Sequence, residues 1–232
     1  QQVISTNADD TRSVYTADVD GDGDVDVLSA SGGFLGNNSK IAWYENTDGL
    51  GNFGAQQIIS TNVDLANSVC AADVDGDGDV DVLSASGGFF SNAPKIAWYE
   101  NTDGLGNFGA QQIISTNSDG AFSVYAADVD GDGDVDVLSS SILDDKIAWY
   151  ENTDGLGTFG LQQVISTNAN GAQSVYAADV DGDGDIDVLS ASAFDDKIAW
   201  YENTDGLGTF GAQQVISTNA DGAYSVYAAD VD

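Results

Sequence analysis

The 232-residue chain has few of the residue types on which enzymes depend. It contains no histidine, no methionine, one cysteine and one proline. Without histidine, an activated nucleophile or a polar cluster that breaks the internal symmetry, the sequence predicts a protein that is not an enzyme. The adjacent acid pairs Asp144/Asp145 and Asp195/Asp196 are assigned no catalytic role. The single cysteine, Cys70, cannot form a disulfide within the chain and is interpreted as a buried packing residue.

Basic residues are scarce as well, because 5 lysines and arginines stand against 39 acidic residues, for a net charge of −34. Such a surface repels nucleic-acid phosphates and anionic lipid, so neither nucleic acid nor membrane insertion is expected. No apolar run approaches the ~18 residues of a membrane span, and no segment resembles a signal peptide. With 42% hydrophobic residues, the chain is expected to fold around a core.

Much of the acid lies in a nine-residue loop that occurs four times, with aspartate at positions 1, 3, 5, 7 and 9 and glycine at position 6. Carboxylates at this spacing suit a hard cation that takes six to eight oxygen ligands. We expect one Ca²⁺ in each complete loop, four in all, bound by the side chains of positions 1, 3, 5 and 9 and by the carbonyl of position 7. A fifth copy begins at Asp230. The candidate metal ligands are Asp18, Asp20, Asp22, Asp24, Asp26, Asp73, Asp75, Asp77, Asp79, Asp81, Asp128, Asp130, Asp132, Asp134, Asp136, Asp179, Asp181, Asp183, Asp185 and Asp187.

These loops differ from the helix–loop–helix calcium site known as the EF-hand. Position 12 is serine in all four copies, as at Ser84, where an EF-hand requires a bidentate glutamate. The residues that follow each loop are small and β-branched and show no helical periodicity. Each loop is therefore predicted to join two strands.

The whole chain is a tandem repeat. Gln1-Gln-Val-Ile-Ser-Thr6 recurs in closely similar form at 56, 111, 162 and 213, which gives periods of 55, 55, 51 and 51 residues. Periods of this size indicate propellers, solenoids or arrays. Each period predicts four strands, a to d, which in the second copy span 67–75, 80–86, 95–101 and 108–116. We expect one all-β repeat domain over 1–232, with four-stranded antiparallel blades at about 7–61, 62–116, 117–167 and 168–218 and a partial blade at 219–232.

Strand c is apolar on both of its faces. In the second copy Ile96 and Trp98 point to one side, and Ala97 and Tyr99 to the other. Such a strand is covered twice, as it is between the stacked blades of a propeller. We therefore assign the four tryptophans to packing between blades rather than to sugar stacking. The four lysines that open strand c are assigned to solvated edge charges, with neutralisation of a neighbouring acid as the alternative. These residues are Trp43, Trp98, Trp149 and Trp200, and Lys40, Lys95, Lys146 and Lys197.

The loop lies between two strands and is followed about thirty residues later by Phe-Gly. With Phe53-Gly54, Phe108-Gly109, Phe159-Gly160 and Phe210-Gly211 in register, the chain resembles the FG-GAP/VCBS repeat of calcium-binding β-propellers. That family includes the integrin α-subunit head and some fungal and bacterial lectins. The resemblance implies a β-propeller of six to eight blades. The Gly-Ala-Pro that often follows strand b in integrins is here Ser-Ala-Ser or Ser-Ser-Ser, so integrin ligand chemistry does not transfer.

The two ends of each predicted blade differ in variability. In an antiparallel meander the a–b and c–d loops share one end, and these loops are nearly constant among the repeats. The b–c and d–a loops share the other end, and they vary, so any recognition is expected there. Asn37 begins a glycosylation sequon in this region. The apolar residues at this variable end are Phe34, Leu35, Phe89, Phe90, Phe122, Phe194 and Tyr224.

These features predict a calcium-binding, extracellular structural or adhesion module without catalytic activity. The alternatives are a lectin-type propeller and a subunit of an extracellular filament of stacked repeats. Calcium loops of modest affinity require the millimolar calcium found outside cells, which predicts a secreted or cell-surface protein. Expected partners are further repeats or chains of the same protein, and an extracellular protein or glycan. Because open blade faces expose apolar surface, we expect the 232 residues to belong to a larger assembly, a closed propeller in preference to an open array.

Overall fold

The computed structural model describes residues 2–32, 38–88, 91 and 93–231. Within these residues the secondary structure consists of sixteen strands and no helix. The strands form four separate four-stranded antiparallel sheets, each made of four strands consecutive in the chain. The predicted all-β class and the four-stranded antiparallel unit are thus confirmed. No helix that could cross a membrane occurs in the described part of the chain.

The sheets are numbered 1 to 4 in chain order. Sheet 1 contains β1 (Thr11–Ala17), β2 (Asp26–Ser31), β3 (Lys40–Tyr44) and β4 (Gln57–Ser60). Sheet 2 contains β5 (Ala66–Ala72), β6 (Asp81–Ser86), β7 (Lys95–Tyr99) and β8 (Gln112–Ser115). Sheet 3 contains β9 (Ala121–Ala127), β10 (Asp136–Ser141), β11 (Lys146–Tyr150) and β12 (Gln163–Ser166), and sheet 4 contains β13 (Ala172–Ala178), β14 (Asp187–Ser192), β15 (Lys197–Tyr201) and β16 (Gln214–Ser217).

Two strand bounds differ from the sequence expectation by three residues or more, and four others differ by one or two residues. The first strand of sheet 2 ends at Ala72 rather than at 75, because the N–H groups of the acidic loop that follows donate to the loop's own carboxylates. The last strand begins at Gln112 rather than at 108. Phe108 makes only an isolated bridge to Asn101, and the ladder is interrupted between that bridge and Gln112.

The core consists of three apolar clusters, each lying between successive sheets. Between sheets 1 and 2, Ile41 and Trp43 pack against the face of sheet 2 that carries Val82 and Tyr99. Between sheets 2 and 3, Trp98 takes the place of Trp43 in the equivalent cluster. Tyr99 therefore faces sheet 1 while Trp98 faces sheet 3, as the two-sided apolar pattern of strand c predicts.

Each buried tryptophan lies over the hairpin loop between the last two strands of the following sheet. A Cβ atom added to Gly106 would lie 2.3 Å from Cζ2 of Trp43, and Gly106 also has a φ of 77°. Only glycine fits at this close approach. Trp98 and Trp149 make the same contact with Gly157 and Gly208.

The first strands of successive sheets lie side by side. The Val124 N–H donates to Oγ of Ser68 in the previous sheet at 3.3 Å, and the Val175 N–H makes the same bond to Ser123 at 3.5 Å. Cys70 lies on the first strand of sheet 2, where the other repeats have tyrosine. It is buried, and burial raises the pKa of its thiol to about 12. This confirms its role in packing.

The two outer sheets each have a face that no other sheet covers. On the N-terminal face, which carries Val14, this side chain is 67% exposed, whereas its equivalent Val69 is 3% exposed. On the C-terminal face, which carries Val180 and Trp200, Val180 is 40% exposed and its equivalent Val74 only 1%. The expectation that all four tryptophans pack between sheets therefore holds for three, since Trp200 lies on this open face and is only partly buried.

The packing predicts different costs for equivalent tryptophan substitutions. Trp98→Ala removes a ring that is 2% exposed and should lower the free energy of unfolding by about 3–5 kcal/mol. Trp200→Ala is the matched control and should cost clearly less, because no sheet lies over its ring. Urea unfolding of the two variants measures the difference, and equal losses would contradict the proposed packing role.

Candidate metal centre

Four acidic loops join the first two strands of the four sheets, and loops 1 to 4 span 18–26, 73–81, 128–136 and 179–187. In loop 2 the Gly78 N–H donates to Oδ2 of Asp73 at 3.0 Å, and the Asp79 N–H donates to Oδ1 of Asp77 at 2.9 Å. Short aspartate side chains stabilise turns by accepting bonds from nearby main-chain N–H groups. These bonds reverse the chain within the loop.

The aspartate at position 9 closes each loop. Asp81 has no solvent exposure, and its two carboxylate oxygens accept bonds from the N–H groups of Val74, at 2.9 Å, and of Asn101, at 2.7 Å. The first bond ties the end of the loop to its start. The second ties the loop to the residue that follows strand c of the same sheet. Asp26, Asp136 and Asp187 make the same pair of bonds.

Each loop brings three carboxylate oxygens within 4.8 Å of one another. The groups are Asp18, Asp20 and Asp22; Asp73, Asp75 and Asp81; Asp128, Asp130 and Asp136; and Asp179, Asp181 and Asp187. Positions 1 and 3 thus belong to every group, position 9 to three groups and position 5 to one.

Buried oxygens without a hydrogen-bond partner show that the loops fit a cation. Among the described residues, Oδ1 of Asp18, Asp20, Asp73 and Asp130 is buried and unpaired. A buried acceptor left without a donor is costly, and a carboxylate oxygen more so than a neutral one. A bound cation would supply the missing partner. The donor set is oxygen alone, which suits Ca²⁺ or Mg²⁺ rather than a transition metal.

Burial raises the pKa of some of the loop carboxylates. Burial raises the pKa of Asp81 to about 7, even though two main-chain N–H bonds act in the opposite direction. The pKa of Asp136 is raised to about 7 for the same reason. Burial also raises the pKa of Asp75, and the charges of Asp77 and Glu100 raise it further. In these three carboxylates burial opposes ionisation more strongly than the main-chain hydrogen bonds favour it.

The position-7 side chain is directed away from the carboxylate groups. In loop 2 the carboxylate of Asp79 packs against the hairpin of its own sheet, where a Cβ on Gly104 would lie 2.4 Å from Oδ1 of Asp79. The equivalent aspartates Asp24, Asp134 and Asp185 contact Gly49, Gly155 and Gly206 in the same way. A ligand role for position 7 therefore rests on its main-chain carbonyl.

Two residues near the loops were missed by sequence reasoning. Glu100 ends strand c close enough to affect Asp75, and Asn101 bonds to Asp81. The signal was available, because Glu-Asn follows Trp-Tyr in every repeat at 45–46, 100–101, 151–152 and 202–203. The pattern alone indicates the end of a strand, because the sequence does not specify which loop these side chains contact.

At the opposite end of the sheets, two of the lysines that open strand c form partly buried ion pairs. Lys146 Nζ lies 2.7 Å from Oδ2 of Asp144, and Lys197 Nζ lies 2.8 Å from Oδ2 of Asp195. The side chains of both lysines are about one-fifth exposed, so the expectation of solvated lysines is wrong at these two positions. It fails because the shorter b–c loops place an acid beside each lysine. The two acid pairs thus have structural contacts.

The predicted apolar recognition end is described only in part. Phe194 is 56% exposed and Tyr224 is 69% exposed, whereas Phe122 is partly buried. Phe34, Leu35, Phe89, Phe90 and the sequon residue Asn37 lie outside the described residues.

The comparison with known families agrees with this geometry. The model of the FG-GAP-like repeat matches residues 18–84, 81–139, 140–190 and 180–232. The first three matches contain acidic loops 1, 3 and 4 respectively. The chain belongs to the FG-GAP-like repeat family. No curated protein sequence matches it.

Solved structures place these FG-GAP-like repeats among known folds. A chain in the crystal structure of a nidogen/laminin complex aligns with a TM-score of 0.53 at 12% identity, covering 85% of this chain and 63% of that chain. The V. cholerae biofilm matrix protein Bap1 aligns with a TM-score of 0.47 at 21% identity, and the alignment covers 90% of this chain and 32% of that chain. The chain thus spans less than two thirds of the length of either. The alignment with the chain of the nidogen/laminin complex supports the fold.

The raised pKa values predict how metal-free FG-GAP-like repeats respond to pH. Asp81 and Asp136 bind protons more tightly in the folded state than in the unfolded state, where their pKa is near 3.8. Their contribution to stability is present below pH 4 and is lost as the pH rises through about 7. In a chelator, the urea midpoint should fall from pH 5 to pH 7. Asp81→Asn should flatten this slope, and a midpoint that rises over this range would contradict the assignment.

Proposed function

We propose that the chain is a non-catalytic, calcium-rigidified structural module of an extracellular protein. The observation that carries this proposal is the set of buried, unpaired carboxylate oxygens in loops 1 to 3, on Asp18, Asp20, Asp73 and Asp130. These oxygens face other carboxylates and have no donor, so the loop is complete only when a cation is present. Outside cells, millimolar calcium would keep sites of modest affinity loaded.

The proposed ligands in each loop are the side chains of positions 1, 3, 5 and 9 and the carbonyl of position 7. In loop 2 these are Asp73, Asp75, Asp77, Asp81 and the Asp79 main chain. Position 9 contributes while its oxygens also accept two N–H bonds, which is compatible with binding because each carboxylate oxygen has two lone pairs. The site chemistry is electrostatic: the cation neutralises charges that otherwise repel at close range.

Calcium is favoured over magnesium by the irregular ligand set. Mg²⁺ requires near-ideal octahedral geometry and releases its water reluctantly. The loop instead offers several carboxylates from a short, glycine-rich segment, with no fixed octahedral frame. Ca²⁺ accepts six to eight oxygens in variable geometry and can use more of these groups at once.

Calcium removal should therefore destabilise the protein. In calorimetry we expect four binding events per chain, and addition of a chelator should lower the melting temperature markedly because the carboxylates then repel one another. Magnesium at equal concentration should restore less of the loss. A melting curve that a chelator leaves unchanged, together with no calorimetric calcium binding, would refute the proposal.

We further propose that the open end faces are covered by further repeats or by other chains of the same protein. The N-terminal face of sheet 1 carries the same residue types that sheets 2 to 4 bury against their predecessors, as Val14 and Val69 show. Stacking by a fixed transformation permits either a closed propeller or an open array, and the family favours the propeller. Sugar stacking has less support, since Trp43, Trp98 and Trp149 are buried.

Association is testable by mass. In calcium, native mass spectrometry or sedimentation should show species larger than the 23.9 kDa monomer as the concentration rises. Val14→Lys places a charge on the N-terminal face at an exposed position and should reduce association without changing the fold. A stable 23.9 kDa monomer at all concentrations would contradict self-association.

A further inference from the structure

The asparagine that follows strand c reaches from one sheet into the acidic loop of the sheet before it. Nδ2 of Asn101, in sheet 2, donates to the carbonyl oxygen of Val19 in loop 1 at 2.8 Å. Asn152 makes the same 2.8 Å bond to Val74 in loop 2, and Asn203 makes it to Val129 in loop 3. All three asparagines have no solvent exposure.

Each of these asparagines also holds its own sheet's loop and hairpin. The Asn101 N–H donates to Asp81, and Nδ2 additionally donates to the Val80 carbonyl at 3.2 Å. Oδ1 of Asn101 accepts a bond from the Gly106 N–H at 3.1 Å. One buried side chain thus joins two acidic loops and the hairpin on which Trp43 packs.

The bond to Val19 acts on the part of loop 1 that carries the first two carboxylates. Val19 stands between Asp18 and Asp20, and its N–H donates to Asp26 at 2.9 Å. The peptide groups on either side of Val19 are therefore fixed from two directions, one within the loop and one by Asn101. Groups that orient ligands in this way alter metal affinity without touching the metal.

Loop 4 provides the natural contrast. Its equivalent residue, Val180, is 40% exposed, and no described asparagine bonds to its carbonyl. A second contact differs in the same way. A Cβ on Gly21 of loop 1 would lie 3.4 Å from the Gly104 carbonyl of sheet 2, whereas one on Gly182 of loop 4 would meet nothing within 4 Å.

We propose that Asn101, Asn152 and Asn203 are positioning residues that couple metal binding in one loop to the packing of the next sheet. Loops 1 to 3 are then sites shared between two sheets, and loop 4 serves its own sheet alone. Coupling between binding and packing is reciprocal, so the next sheet strengthens metal binding and the metal strengthens the interface. This inference rests on the proposed calcium binding.

The first test follows calcium binding loop by loop in the full ¹⁵N-labelled chain. The Gly23 amide reports on loop 1 and the Gly78 amide on loop 2. Asn101→Ala should raise the calcium midpoint at Gly23 by about tenfold although the substitution lies in another sheet. Asn46→Ala is the matched control, since Asn46 bonds to its own loop and hairpin but, among the described contacts, to no preceding loop. Asn46→Ala should leave the calcium midpoint at the Gly78 amide unchanged.

The second test reverses the direction and leaves Asn101 intact. Asp20→Asn weakens binding in loop 1 and should speed hydrogen exchange at the Trp43 indole N–H in calcium, because the interface between sheets 1 and 2 loosens. Asp181→Asn removes the equivalent carboxylate of loop 4 and should leave the indole exchange of Trp43 and Trp98 unchanged. This arm remains decisive if Asn101→Ala does not fold.

The outcomes separate the two proposals. If Asn101→Ala shifts the calcium midpoint at Gly78 but not at Gly23, the coupling is refuted while calcium binding stands. The same conclusion follows if Asp20→Asn leaves the hydrogen exchange of the Trp43 indole N–H unchanged. If no loop glycine of the unmodified chain responds to calcium, the calcium proposal fails and the coupling fails with it.

Discussion

The structure depends on covering the faces of each sheet with its neighbours, which is achieved on both faces of sheets 2 and 3 and on one face of sheets 1 and 4. A four-stranded sheet whose third strand is apolar on both sides cannot be stable alone, because one face would remain in water. Each interface solves this for two sheets at once, with a tryptophan from one sheet set over a glycine of the next. The repeat is therefore a unit of sequence but not of stability, and the interface is the cooperative element.

The acidic loops add an opposing constraint at the same interfaces. Three carboxylate oxygens of each loop lie within 4.8 Å of one another, and burial raises the pKa of Asp81 and Asp136 to about 7. A protein selected for stability alone would not concentrate carboxylates there. The arrangement is useful if a cation is normally present, because the same charges then hold the loop, the hairpin and the neighbouring sheet in one geometry.

The sequence was sufficient for the elements set by periodicity. The two-sided pattern of Ile96 to Tyr99 predicts a doubly covered strand, and the repeat length predicts the four-stranded unit. It was not sufficient for contacts between repeats. The bond from Asn101 to Val19 spans 82 residues and appears only when the sheets are stacked. Lys146 was likewise misread, because its partner Asp144 is placed by the turn of a short loop and not by strand spacing.

Near-identical repeats end up in unequal environments, and this sets a limit on motif reasoning. Loops 2 and 4 have the same nine residues except for one valine-to-isoleucine change, yet Val74 is 1% exposed and Val180 is 40% exposed. Asp73 has a buried, unpaired oxygen, whereas the loop 4 carboxylates at positions 1 and 3 are exposed. Because desolvation and repulsion depend on what lies above the loop, the same motif is a different electrostatic site in each place. Adding a sheet over the C-terminal face would bury loop 4 as loop 2 is buried, so the stacking of sheets sets the electrostatic environment of each acidic loop.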